Sequence, residues 1–477
     1  METATQALHR LTSYEPGREW TEPADDPRIV QDLEVNDLAR LPWFYKRYEE
    51  TLPRVALPRN LPPTSAPAVD VLAGSAHVPR TEVDLPHLAR LLYLSAGVVR
   101  TGERSYGTHL FRAAGSAGGR FPLELYVAVP EGLSIPAGVH WYHPLEHALV
   151  KIGPAPDGNA PVIVVTGIPW RTGWRYRERG YRHVYWDAGT MLAQLLALAD
   201  SAGIPAGLHL RWPDGDVAAL IGADRVHEFP VAVIALDDHP LRVKGSDRAT
   251  AGEVDASPVE FPIITAAQRA GEHDAFGLPL ERGAPVAVSS SDAEPMEVVV
   301  LKRGSQRRMD PTRGLAEKTL HAAMRVAMRG VALPHFVVVH DVEGLQTGVY
   351  RWPDLSTPVR PGSLRNELYR VCLEQDLGAD AAFVVIAATD VAVLDDREYR
   401  EAQLVAGVVE GRLHLLAYAL GASATGMTFL DSEIPALLGE PLDGLLFTCV
   451  GVPEYESTPG GLPGAPVSVR TVAPRTG

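Results

Sequence analysis

One motif occurs twice in this chain at a spacing of 218 residues, and it constrains the fold more than any other feature. Tyr181-Arg182, five residues and then Ala188-Gly189 return as Tyr399-Arg400, five residues and then Ala406-Gly407. At the same spacing Leu195, Leu198, Ala199 and Gly203 match Leu413, Leu416, Ala417 and Gly421. The flanks repeat with small shifts. Asp216 to Gly222 resembles Glu433 to Gly439, and Pro122 with its downstream Glu131-Gly132-Leu133 mirrors Pro334 with Glu343-Gly344-Leu345. Two unrelated amphipathic helices would not keep their neighbours in order, so the chain carries a duplicated unit of about 170 residues.

Each copy reads the same way. A helix (85–99; 315–328) precedes an apolar strand (123–129; 336–340), a Glu-Gly-Leu turn and a second strand (138–142; 348–352). A Val- and Ile-rich strand follows (162–165; 382–388), then a long helix whose apolar positions 188, 191, 192, 195, 199 and 202 give one buried face. A short helix ending at Gly222 or Gly439 and a final strand (231–236; 445–450) complete the unit. Strands mixed with helices of this length predict an α+β sandwich, built twice in one chain. The expected organisation is an N-terminal extension over 1–80, a first domain over 81–236, a linker over 237–297 and a second domain over 298–477. The extension is expected to hold a helix over 29–50 and a proline-rich stretch over 53–67.

Composition narrows the function. The 477 residues carry 44 Lys and Arg against 59 Asp and Glu, a formal charge of −15. So acidic a chain is a poor candidate for nucleic acid or an anionic membrane surface. Cys372 and Cys449 are too few for a disulfide framework or a four-cysteine zinc site. Residues 1–20 lack the pattern of a signal peptide and no run of about 18 apolar residues exists, so a soluble, cytoplasmic protein is expected. Lysine stands at only five positions, 46, 151, 244, 302 and 318, which fits the codon bias of a GC-rich genome.

Four segments could carry chemistry. Arg303-Gly304-Ser305-Gln306-Arg307-Arg308 surrounds a hydroxyl with guanidiniums, a receptor for a phosphate monoester or simply a solvated basic turn. Gly115-Ser116-Ala117-Gly118-Gly119 allows close approach of a flat ligand or an anion, or is a surface loop. Ala422 to Met427, with Thr425 and Gly426, reads as a helix stop and a turn that could set backbone N–H groups beside a ring. Trp174 to Arg182 is dense in cationic and proton-transfer groups, including Arg175 and Tyr176. His140, His143 and His147 invite a metal reading, but the second copy lacks them and no further ligand completes a shell, so no metal is expected. No P-loop, G-x-G-x-x-G or G-x-S-x-G is present.

Together these segments resemble the nitroreductase superfamily, and more narrowly a tandem-duplicated azoline dehydrogenase of the SagB/ThcOx type. The resemblance spans roughly 85–236 and 298–470. It rests on R-x-S-x-R, the Ser/Gly loop before Pro122-Leu123-Glu124-Leu125-Tyr126, the Glu-Gly-Leu turn and the Tyr-Arg-x5-Ala-Gly helix. The resemblance implies FMN, held in that superfamily at two sites across a two-fold dimer, with the Ser/Gly loop supplied by one subunit and R-x-S-x-R and the loop after the long helix by the other. Here copy two has R-x-S-x-R but Met328 where Ser116 would fall, and copy one has the loop but no R-x-S-x-R. The half-sets are complementary. A pseudo-dimer would form one complete FMN site from Ser116, Ala117, Gly118 and Gly119 with Arg303, Ser305, Arg307, Thr425 and Gly426. Arg470 stands where the superfamily places a late phosphate-binding cation.

Two departures from the pattern matter. Gly115 replaces a usual Pro, and Arg175-Tyr176 stands where azoline dehydrogenases carry Lys-Tyr. An Arg cannot act as the base, but it can stabilise a developing anion while Tyr176 relays the proton. The implied reaction is oxidation of a thiazoline or oxazoline in a modified peptide to the azole, with a peptide or small-molecule azoline as substrate and a cyclodehydratase as partner. An NAD(P)H-dependent nitro or quinone reductase and a flavin-free scaffold of a biosynthetic complex are the alternatives.

Overall fold

The computed structural model describes residues 2–19, 22–245, 247–288 and 294–475. Positions 1, 20–21, 246, 289–293 and 476–477, which touch the expected extension, linker and C-terminal end, lie outside it.

Each copy of the repeat builds an antiparallel sheet. The first has seven strands in the order Arg54–Ala56, Ala148–Gly153, Gly138–His143, Leu123–Val129, Val162–Gly167, Phe229–Ala235 and Gly207–His209. The second has six, in the order Arg360–Pro361, Gly348–Arg351, His335–Val339, Phe383–Thr389, Asp443–Gly451 and Ser423–Met427. Central strands such as Leu123–Val129 are buried at every residue, which is why they read as continuous apolar runs rather than alternating ones.

The long helices Gly180–Ser201 and Asp396–Ala419 pack against each other between the sheets, and the repeated motif lies at their crossing. A Cβ on Gly189 would lie 2.1 Å from the Leu404 carbonyl oxygen, and one on Gly407 2.4 Å from that of Trp186. Glycine at these matched positions lets the two backbones touch. The motif's arginines then reach across. Arg179 and Arg182 bind Asp431 at 2.5 and 2.6 Å, while Arg397 and Arg400 lie 3.0 and 3.7 Å from Asp214. Arg179 and Arg182 correspond to Arg397 and Arg400 at the 218-residue spacing, so the two clamps are reciprocal. The short helices Ala68–Ala73 and Met296–Lys302 are likewise paired, their preceding Pro67 and Pro295 bridging one another. The halves form an intramolecular pseudo-dimer of α+β sandwiches.

Three expectations differ from the structure. Residues 29–50 form no α-helix and contain only a 3₁₀ turn, Leu38–Arg40. Pro42 holds Leu41 extended (φ −60°, ψ 119°), and tertiary partners take the backbone groups a helix would have used. Glu178 accepts from the Val30 N–H, and Arg177 donates to the Val30 and Leu33 carbonyls. The segment ahead of copy two is more than a connector, because it contains the helix Pro262–Ala270. There Gln268 accepts from the Tyr181 and Tyr185 hydroxyls, and its carbonyl accepts from Arg400. Finally, Ser423–Met427 is an edge strand paired with Asp443–Gly451, not a turn. Among the described residues no helix is long and apolar enough to cross a membrane.

Candidate functional site

The helix crossing leaves a cavity of about 530 Å³ between the halves. Copy one contributes Gly115 to Gly119, Arg175 and Tyr176, and copy two contributes Ser305, Arg307, Thr425 and Gly426. Residues of the two copies 129 to 311 positions apart in sequence thus share one wall. Arg303 lies just behind it, 3% exposed, with its Nη1 3.3 Å from the Cβ position of Gly115. Its Nη2 donates to the Ala113 carbonyl at 2.6 Å, while Nε and Nη1 have no hydrogen-bond partner among the described residues. A side chain at position 115 would press on this guanidinium, which accounts for the glycine there.

The Ser/Gly loop is held in shape by left-handed residues and by one carboxylate. Gly118 has φ 59°, and a Cβ there would lie 2.7 Å from Arg175 Cδ and 2.8 Å from the Tyr176 hydroxyl. Only glycine fits that backbone and that space. Ser116 lines the cavity, but its hydroxyl is committed: it donates to Asp187 Oδ2 at 2.5 Å and accepts from the Phe121 N–H at 2.8 Å. The Ala117 N–H donates to the other Asp187 oxygen at 2.9 Å.

Arg175 and Tyr176 end the helix Pro169–Tyr176. Arg175 donates to Asn36 Oδ1 at 3.5 Å. Tyr176 stacks on His183, ring centroids 4.0 Å apart at 24°. Burial pushes its phenol up, and the neighbouring Arg175 opposes that rise. Arg470 is exposed, two residues beyond the strand Val467–Ser468, and is not among the residues that line the cavity. The strand Val467–Ser468 pairs in parallel with Val98–Arg104 at the edge of a three-stranded sheet, and from that sheet Arg104, His109 and Phe111 line the cavity while Arg470 does not.

The sequence reading missed the cavity floor. Asp187 and Thr190 descend from one long helix, Glu410 and His414 from the other. Burial raises Asp187 to about 7 against the hydrogen bonds from Ser116 and Ala117. Burial and the charge of Asp187 raise Glu410 to about 8. Thr190 Oγ1 donates to Glu410 Oε2 at 3.3 Å, and His414 Nε2 lies 3.5 Å from Oε1. Burial, then Arg303, drives His414 down to about 3, so that imidazole is neutral beside the carboxyl. With Asp187 raised to about 7 and Glu410 to about 8, the two carboxyls do not both ionise near neutral pH, and the floor therefore holds a proton. A signal for these residues existed in the repeat. Asp187, Glu410 and His414 match Val405, Leu192 and Leu196 at the 218-residue spacing, so polar groups replace apolar ones on an otherwise duplicated buried face.

His140, His143 and His147 lie on or beside the strand Gly138–His143, away from the cavity. His147 bonds the Tyr142 hydroxyl at 3.0 Å and the Pro58 carbonyl at 3.1 Å, while His143 Nδ1 accepts from the Glu146 N–H.

The chain aligns with a crystal structure of a nitroreductase-like protein from Anabaena variabilis over 95% of its own length and 100% of the other's, with TM-score 0.71 and 23% identity. The fold is nitroreductase-like. A nitroreductase-like protein of Methanocaldococcus jannaschii is 26% identical over 165 residues, 31% of this chain and 78% of that protein. A microcin synthetase complex of Escherichia coli shares 16% identity over 45% of this chain at TM-score 0.27, too low a likeness to bear on function. No family model matches the chain. In the nitroreductase-like fold seen here, the cavity lies between the two halves and draws walls from both.

Proposed function

We propose that the chain is an FMN-dependent oxidoreductase with one composite site, oxidising a thiazoline or oxazoline ring of a modified peptide to the azole in natural-product biosynthesis. The observation that carries the flavin reading is the meeting of the Ser/Gly loop of copy one with Ser305, Arg307, Thr425 and Gly426 of copy two around a single cavity. Its residues fit the group. The unpartnered Nε and Nη1 of Arg303, with the Ser305 hydroxyl and Arg307, suit a phosphate monoester, and the bare backbone of Gly118 and Gly119 suits a flat ring. A volume near 530 Å³ is of the size of cofactor sites.

Bound there, FMN would supply the two-electron chemistry, accepting the hydride that leaves the azoline ring. The chain's residues manage charge and protons. The Tyr176 hydroxyl relays the departing ring proton, accepting it as its own O–H proton passes on to solvent, and the fixed charge of Arg175 stabilises the negative charge that develops on the substrate. The Asp187–Glu410 pair keeps one exchangeable proton at the floor at neutral pH. Oxygen is the expected final acceptor. A precursor peptide and the cyclodehydratase that makes its azolines are the partners this reading implies, in the cytoplasm. Incubating the purified protein with FMN and an azoline-bearing peptide tests it: the product should lose two hydrogens by mass spectrometry, and Tyr176→Phe should slow that loss. The name of the M. jannaschii relative favours a second reading, an NAD(P)H-dependent nitro or quinone reductase. Rapid bleaching of bound flavin by NAD(P)H, with no azole formed, would select it.

A further inference from the structure

The pseudo-dimer has a second cavity, of about 520 Å³, where the helix Ala68–Ala73 rather than its counterpart Met296–Lys302 runs out. It is lined by Gly74 and Ala76 after that helix, by Asp200 and Gly203 to Ala206 at the end of the first long helix, and by Arg282 and Arg329. Arg412, from the second long helix, closes a small recess that Asp200, Arg282 and Arg329 also line. None of these residues belongs to the composite site.

Its charge does not balance. Of the four arginines lining the cavity and its recess, Arg80 pairs with Asp237 and Asp238, and the other three surround Asp200, the one carboxylate among the lining residues. Arg282 donates to Asp200. Arg412, 6% exposed, spends its Nη1 on the Ala327 and Arg329 carbonyls at 3.0 and 2.6 Å. Arg329 is 9% exposed, and among the described residues its Nε has no hydrogen-bond partner; Nε of Arg282 is orphaned too. Burial and crowding by Arg282 and Arg329 push Arg412 down to about 9. Gly74 makes the arrangement possible, since a Cβ there would lie 1.4 Å from Arg329 Nη1. Buried guanidinium N–H groups without acceptors are costly, and forked donors on the wall of a cavity are what a tetrahedral oxyanion satisfies.

We infer that this second cavity is an anion site for a phosphate-type dianion, seated between Arg282 and Arg329, with the charge of Arg412 in the small recess behind them. The apolar wall of Val71, Val78 and Ile204 would accept the body of a phosphomonoester, so the cavity suits a free and an attached phosphate alike. Titration of the full chain, with FMN saturating the composite site, separates the two cavities. Inorganic phosphate and AMP are the probes, read by calorimetry and thermal unfolding, with sodium chloride at matched ionic strength as control. The expected result is binding that weakens at least tenfold in Arg329→Gln and in Arg282→Gln but is unchanged in Arg307→Gln. AMP binding tighter than phosphate would assign an attached phosphate, and equal binding a free one. Chloride reproducing the phosphate effect, or both variants binding as the wild type does, would overturn the site.

Discussion

The two halves differ least where they hold each other and most where they leave space. The clamps Arg179/Arg182–Asp431 and Arg397/Arg400–Asp214 and the crossing glycines Gly189 and Gly407 are near copies of one another. The two cavities are not. One has Arg303, Ser305 and Arg307 after its short helix, where the other has Ser75, His77 and Pro79. One floor carries Asp187, Glu410 and His414, and at the matched positions the chain has Val405, Leu192 and Leu196. A duplicated fold keeps its reciprocal contacts because removing one breaks the assembly. Its second cavity is free to lose one chemistry and take on another.

The largest expected effect tests the shared part. Asp431→Ala leaves Arg179 and Arg182 buried without their acid, and should cost about 3–5 kcal/mol in urea unfolding. Asp214→Ala should cost a similar amount if the clamps are equivalent; a gap of several kcal/mol between the two would break the symmetry argument. The next effect tests the difference. Arg303→Ala should weaken FMN binding about a hundredfold, the worth of a charge-assisted hydrogen bond pair. Ser75→Ala, at the corresponding place after the helix Ala68–Ala73, should leave it unchanged in the same fluorescence titration.

A smaller effect concerns the cavity floor. Asp187→Asn should lower kcat about tenfold, on the low side for acid–base groups because two carboxyls share the proton. With Asp187 and Glu410 at about 7 and 8, wild-type kcat should fall above pH 7–8, and in the variant that limb should move to lower pH as Glu410 loses the charge of Asp187 but keeps its burial. The smallest effect is on stability against pH. The raised carboxyls Asp187 and Glu410 keep protons in the fold that an unfolded chain releases near pH 4, so they erode stability as pH rises from about 4 to about 8. Asp431 works in the opposite sense: Arg179 and Arg182 overcome its burial and hold it at about 2, so its contribution is lost as pH falls from about 4 toward 2. Thermal scans should show a wild-type midpoint declining by a few degrees between pH 5 and 8.5, and a flatter line for Asp187→Asn with Glu410→Gln.

The repeat made much of this legible. Helical and strand periods placed the long helices and central strands, and the complementary motifs pointed to a single meeting place that the structure does form. Residues 29–50 misled because their apolar spacing is helical while Arg177, Glu178 and Pro42 enforce an extended path, which is a tertiary effect. Arg470 is exposed and does not line the cavity, and the weak local match around it gave no means of placing its side chain. Asp187 and Glu410 escaped notice since a lone acid inside an apolar helix carries no motif. The mismatch with the other copy was the signal.

The central claim is one composite flavin site per chain, and the amount of flavin retained measures it most directly. The chain should be saturated at one FMN per chain, judged by the visible spectrum and released flavin, and both Arg303→Ala and Gly118→Val should abolish retention although they lie in different copies. Two FMN per chain would contradict the complementary halves. No retention after FMN is added would contradict the flavin reading itself.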